Sequence, residues 1–130
     1  MLQVELYVQG VEEAEKLFTQ GLDLKTIESR PGWRILRSSA NYDIMLFDRD
    51  QHEDEENHWN FSNDLTSGAG VQLVINVTGI EQLHGKIMSL GYSCSALRSP
   101  PWGGKDFTLQ LKEGYVIRLK QHDSQGAICV

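Results

Sequence analysis

The chain says nearly the same thing twice, and this limits its folds more than any other feature. Gln3-Val4-Glu5-Leu6-Tyr7-Val8-Gln9-Gly10-Val11-Glu12 recurs 69 residues later as Gln72-Leu73-Val74-Ile75-Asn76-Val77-Thr78-Gly79-Ile80-Glu81. Gln, Val, Gly and Glu are kept, and aliphatic residues exchange at Val4/Leu73, Leu6/Ile75 and Val11/Ile80. Arg30-Pro31-Gly32-Trp33 and Ser99-Pro100-Pro101-Trp102 continue the match at the same spacing. After a slip of four residues, Asn41-Tyr42-Asp43-Ile44-Met45-Leu46-Phe47 matches Gly114-Tyr115-Val116-Ile117-Arg118-Leu119-Lys120. Two copies in one order predict two similar units about a pseudo-two-fold axis, with equivalent positions converging on a shared cleft.

Each copy alone is too short to be a confident independent folder, so 130 residues read as one domain with one core. Module one covers 1–47, an acidic connection 48–70, module two 71–121 and a tail 122–130. No apolar run reaches the roughly 18 residues that a membrane span needs, and no basic, then apolar, leader opens the chain. We therefore expect a soluble cytoplasmic protein with no membrane partner. The net charge of -6 disfavours a phosphate-backbone surface, so no nucleic-acid partner is expected. Cys94 and Cys129 have neither CxxC spacing nor neighbouring histidines, and reduced thiols are expected.

Alternation predicts a strand over Leu2 to Val8, with Val4, Leu6 and Val8 on one face and Gln3, Glu5 and Tyr7 on the other. Ala14, Leu17 and Phe18 at helical spacing predict a helix from Val11 to Gln20, with Gly21 as its C-terminal cap. Ile80, Leu83, Ile87 and Leu90 predict the second helix, closed by Gly91, with His84 and Lys86 on its wet face. Strand-like runs follow at Leu24 to Glu28, Trp33 to Ser38 and Tyr42 to Phe47, then at Tyr92 to Leu97, Phe107 to Leu111 and Val116 to Lys120. The module is βαβββ, twice. Between the copies, Asp48 to Gly70 carries seven acids against Arg49, which reads as a solvated connection or, less simply, a cation site around His52 and His58.

These paired modules, with Val8-Gln9-Gly10-Val11-Glu12, Pro101-Trp102-Gly103-Gly104-Lys105-Asp106-Phe107-Thr108-Leu109 and Gly114-Tyr115-Val116-Ile117-Arg118-Leu119, resemble the glyoxalase, bleomycin-resistance and extradiol-dioxygenase superfamily, also called vicinal oxygen chelate. The Pro-Trp-Gly segment is especially similar to bleomycin-resistance proteins. The resemblance implies an α+β fold, in which two βαβββ modules form a curved mixed sheet around a cleft with helices on the outer face. It also implies a homodimer. In the metal-dependent members, ligands come from the start of the first strand and the middle of the last strand of each module, which here are Gln3, Met45, Gln72 and Arg118. Two neutral amides, a thioether and a guanidinium do not make a divalent site, so neither a metal nor a cofactor is expected.

Strand parity gathers Gln3, Glu5 and Tyr7, Asp43, Met45 and Phe47, Gln72, Val74 and Asn76, and Val116, Arg118 and Lys120 on cleft faces, with aliphatic residues behind. Ligand contact is expected from Gln3, Glu5, Tyr7, Asp43, Met45, Phe47, Gln72, Asn76, Trp102 and Arg118. Arg118 either grips an acidic ligand group or pairs with Glu5 or Asp43. Trp33 and Trp102 stand at matching places and either stack on a ligand or fill the fold. No nucleophile and base come together; catalysis would fall to Glu5, Asp43, Tyr7 or Tyr42, with apolar neighbours raising the carboxyl pKa values. The expected function is small-molecule binding of bleomycin-resistance type, as in antibiotic resistance, with a glyoxalase-like isomerase, lyase or dioxygenase as the alternative and a ligand-free dimeric scaffold as a third reading.

Overall fold

The computed structural model describes residues 1–50 and 70–123, so the connection's residues 51–69, with His52 and His58, and Cys129 in the tail lie outside the described residues. The chain divides into two compact units, Met1–Ser67 and Gly68–Val130.

In the first unit, β1 (Leu2–Val8) pairs in parallel with β4 (Tyr42–Asp48), and β4 continues antiparallel to β3 (Trp33–Arg37) and then β2 (Lys25–Arg30). The alternation dictates which side is buried. Leu6, Val8, Leu36, Ile44 and Leu46 form the core with Val11, Ala14, Leu17 and Phe18 of the helix, each side chain removing apolar surface from water. Helix α1 (Val11–Lys16) does not finish at Gly21 as an α-helix. It widens into a π-helical turn over Leu17–Gly21, where the Leu22 N–H donates to the Leu17 carbonyl at 3.2 Å. Leu17 and Phe18 are both fully enclosed there, so burial of neighbouring side chains overrides the regular period. Gly21 is accordingly no left-handed cap; Asp23, at φ 61°, makes that turn.

The second unit has β5 (Gln72–Asn76), α2 (Ile80–Ser89), β6 (Lys105–Gln110) and β7 (Val116–Gln121), in sheet order β5-β7-β6, with β5 and β7 parallel. The Gln121 side-chain carbonyl accepts from the first helical N–H, Ile80, at 2.8 Å, and supplies the cap that Gly79 lacks. Gly91 closes the helix at φ 95° as expected. Tyr92 to Leu97 does not become a strand. It touches β6 through two isolated bridges, Cys94 to Leu109 and Arg98 to Asp106. The Ser95 hydroxyl takes the Thr108 N–H at 2.9 Å, a side chain standing in for a ladder carbonyl. His84 keeps part of its surface in water while also lying edge-on to Phe107 at 4.7 Å, and its Nε2 meets the Ser95 carbonyl at 2.8 Å. Cys94 is a free, half-buried thiol whose pKa burial pushes up.

The register relocates the four-residue slip. Phe47 pairs with Trp33, and its counterpart Lys120 pairs with Asp106, so Asp106, not Trp102, occupies Trp33's place in the ladder. The extra residues sit before β6, in the turn through Gly103 and Gly104. Among the described residues no helix is long and apolar enough to cross a membrane.

Two glycines separate backbone need from habit. Gly104 has φ 76°, and a Cβ there would come within 2.5 Å of the Gln121 carbonyl oxygen; Gly104→Ala should cost about 1–3 kcal/mol. Gly85 lies inside α2 with nothing within 4 Å of a new Cβ, and Gly85→Ala should stabilise by about 0.5–1 kcal/mol. Thermal melts of the two variants should move in opposite directions.

Candidate functional site

The sheet face opposite each helix carries the residues with chemistry. In the first unit, register places Gln3 beside Asp43, Glu5 beside Met45 and Tyr7 beside Phe47, with Arg37, Ile35 and Trp33 completing the rows from β3. The rows differ in kind. At one end Asp43, with no exposed surface, accepts from Arg37 Nε at 2.9 Å, Arg37 Nη2 at 3.0 Å and the Gln3 side-chain amide at 3.0 Å. Hydrogen bonds from Arg37 and then Gln3 hold its pKa down to about 2, outweighing burial. This corrects the expectation of a raised carboxyl: charged and amide donors reach the carboxylate more closely than the apolar Met45 and Phe47 influence it. A carboxylate held so low accepts protons poorly near neutral pH.

At the other end the rings stack. Tyr7 and Phe47 lie 5.4 Å apart and Phe47 and Trp33 6.4 Å apart, nearly parallel, and the Arg30 guanidinium sits 5.7 Å over Trp33. The Tyr7 hydroxyl donates to Glu5 at 3.2 Å. Met45, between the two ends, is partly exposed.

On the second unit's face, Gln72, Val74 and Asn76 lie beside Val116, Arg118 and Lys120, with Gln110, Thr108 and Asp106 from β6. Gln72 and Asn76 are exposed on β5. Arg118 is bonded within its own unit. Its Nε and Nη2 donate to Asp106 Oδ2 at 3.1 and 2.5 Å, diagonally across the ladder. Asp106, 1% exposed, also accepts from Arg98 Nε at 2.6 Å and Arg98 Nη2 at 3.2 Å, and hydrogen bonding to Arg98 leads the causes that lower its pKa. Trp102 is on no strand. It is 60% exposed in the turn before β6, its ring 6.0 Å from the Arg98 guanidinium carbon.

Sequence reasoning thus grouped Gln3, Glu5, Tyr7, Asp43, Met45 and Phe47 as the structure does, and likewise Gln72, Asn76 and Arg118, while placing Trp102 differently. It missed Arg37, Arg98 and Asp106. Parity along β3 and β6 would have found Arg37 beside Ile35 and Asp106 beside Thr108; nothing local marks Arg98, whose segment forms no strand.

No protein-family model matches the sequence, and no curated protein matches it. Solved structures do. A glyoxalase/bleomycin resistance protein/dioxygenase family enzyme from Burkholderia phytofirmans PsJN aligns with TM-score 0.76 at 18% identity, over 92% of this chain and 95% of that one. The chain shares the fold of that glyoxalase/bleomycin resistance protein/dioxygenase structure. A glyoxalase-related enzyme from Fulvimarina pelagi matches at TM-score 0.75 and 11% identity, covering 100% of this chain and 96% of its own. Lactoylglutathione lyase from Agrobacterium tumefaciens matches at TM-score 0.69 and 12% identity, over 93% and 92%. A shared fold does not fix a reaction, so the side chains on the two faces must decide function.

The Asp43 cluster has a consequence for acid stability. Its carboxyl sits near 2 when folded against an ordinary 3.8, so the unfolded chain binds the proton first. The stabilisation is complete above about pH 4 and is lost as pH falls toward 2. Melting temperature measured from pH 6 to pH 2 should fall less steeply across that window in Asp43→Asn than in the wild type, with the variant already less stable at pH 6.

Proposed function

We propose that the chain is a small-molecule binding protein of bleomycin-resistance type that works without the superfamily's metal and acts as a cytoplasmic homodimer. The observation that carries this is the state of Arg118. At a position where metal-dependent relatives place a carboxylate, a permanent cation stands, committed to Asp106 by two hydrogen bonds. The other positions agree: the Gln3 amide donates to Asp43, Met45 offers a soft thioether, and Gln72 a neutral amide. Hard divalent ions need oxygen or imidazole donors that offset their charge, and this set does not fit one. Among the described residues no three His, Cys, Asp or Glu side chains gather as a metal cluster.

Binding is supported by the partly exposed Phe47 and Trp33 rings, backed by buried Tyr7, and by exposed Trp102, surfaces suited to a planar compound. The alternative, a glyoxalase-like isomerase, lyase or dioxygenase, would need a proton acceptor for base chemistry; Asp43 is held too low to serve, which leaves Glu5, the acceptor of the Tyr7 hydroxyl, as its carboxylate. For the dimer, Leu2, Val71 and Val74 leave apolar surface exposed along or beside the edge strands β1 and β5, which a second chain would cover.

Elemental analysis of untagged protein should find no stoichiometric Zn, Mn, Fe or Ni; about one per chain, lost on Gln3→Ala plus Gln72→Ala, would refute the metal-free reading. Sedimentation at micromolar concentration should give twice the chain mass. For a planar compound that co-purifies with the native protein, Trp102→Ala should weaken binding about thirtyfold, the effect of truncating a stacking hot spot worth about 2 kcal/mol. Unchanged affinity in a folded variant would move the ligand away from this turn.

A further inference from the structure

Two of the carboxylates buried among the described residues, Asp43 and Asp106, are satisfied differently. Asp43 is held by one arginine, Arg37, and one neutral amide, Gln3, so its hydrogen-bond donors bring a single positive charge. Asp106 is held by two arginines, so these three side chains together carry one net positive charge. A buried carboxylate does not require the second cation, because Asp43 is fully bonded without one.

The excess charge is accessible. Each guanidinium has five N–H donors; Asp106 takes two from each, and three on each remain. Arg98's side chain is 60% exposed and that of Arg118 is 20% exposed. Lys120, opposite Asp106 in the ladder, adds a further cation to the same face. Among the acids of the described residues nearby, Glu81 pairs with Lys105 and the Asp123 carboxylate lies against Gly103 in the turn.

The cluster is also built rigidly. Arg98 and Asp106 exchange both backbone hydrogen bonds, at 3.0 and 3.1 Å, and their side chains then meet in a two-point bond, so the guanidinium has little freedom to lose on binding. The Trp102 ring beside it limits that freedom further.

We infer that Arg98 and Arg118 form a receptor for an anionic group, a carboxylate or phosphate monoester borne by the ligand, with Asp106 as the residue that positions them. The inference rests on the small-molecule-binding reading and narrows its ligand to an acid. The Nη1–Nη2 edge left on each guanidinium is a two-donor edge of the kind that carboxylate and phosphate oxygens accept.

Three probes of one shape test it by calorimetry: 2-naphthoate, 2-naphthyl phosphate and the neutral 2-naphthylmethanol. The better acid should bind wild type at least about tenfold tighter than the alcohol, and the choice between acids identifies the anion. Arg98→Gln leaves Asp106 an amide donor, as Gln3 does for Asp43, and should reduce that preference to near unity; Arg118→Met serves if Arg98→Gln does not fold. The Nε–Hε nuclear magnetic resonance signals of Arg98 and Arg118 should shift with the acid and not with the alcohol. Equal affinity of acid and alcohol, or an acid preference that survives in the folded variants, overturns the anion site. An alcohol that binds and is released by Trp102→Ala, with no gain for either acid, overturns the anion site while supporting the binding reading. Binding of none of the three also overturns the anion site, whereas the binding reading stands or falls on its own co-purification test.

Discussion

Everything on the two candidate faces depends on the parallel pairing of the first and last strands of each unit. Because β1 meets β4 residue for residue from Leu2 and Tyr42 to Val8 and Asp48, side chains of like parity stand together. Aliphatic residues then fall behind the sheet, and Gln3, Glu5 and Tyr7 in front. A slip of one residue would turn Leu6, Ile44 and Leu46 outward and bring the carboxylates into the core, so burial of the aliphatic rows fixes the polar rows. The β5–β7 ladder imposes the same condition on Gln72, Asn76 and Arg118. The helices contribute by covering the apolar side only.

Within that constraint the two copies diverge in chemistry and keep the scaffold. The first unit sets its carboxylate at the start of β4 and stacks three rings at the far end of the rows. In the second, the far end holds Asn76, Lys120 and Asp106 at the places of Tyr7, Phe47 and Trp33. An aromatic stack has been exchanged for an ionic one at equivalent ladder positions. Each solution satisfies its own burial requirement: rings by mutual contact, and a carboxylate by charged donors.

Strands were legible because alternation is local and strong; β1 has the expected bounds, and the others differ from expectation by a residue or two at their ends. What was hidden came from tertiary context. The π-helical turn over Leu17–Gly21 follows from enclosing Leu17 and Phe18 together, which no window of helical spacing reveals. Tyr92 to Leu97 had a strand's composition, but Ser95 spends its side chain on the partner backbone. The two tryptophans were aligned on the prolines before them, although the slip lies before β6. For the same reason the partner of Arg118 was missed: Asp106 read as part of a turn motif, not as the first polar position of a strand.

Net charge is a poor guide to what such a face prefers. The total of -6 gathers many acids in the connection between the copies and disfavours nucleic acid as a partner, yet it says little about a site where opposite charges are separated by a few ångströms. At that range the field is set by adjacent groups, because solvent and salt screen distant ones within roughly 10 Å. Around Asp106 the adjacent groups are two guanidinium ions, and a ligand entering there meets a local excess of positive charge on an otherwise acidic chain. Asp43 and Asp106 therefore do unlike jobs: Asp43 closes its cluster, whereas Asp106 aims two cations, one more than its own charge offsets.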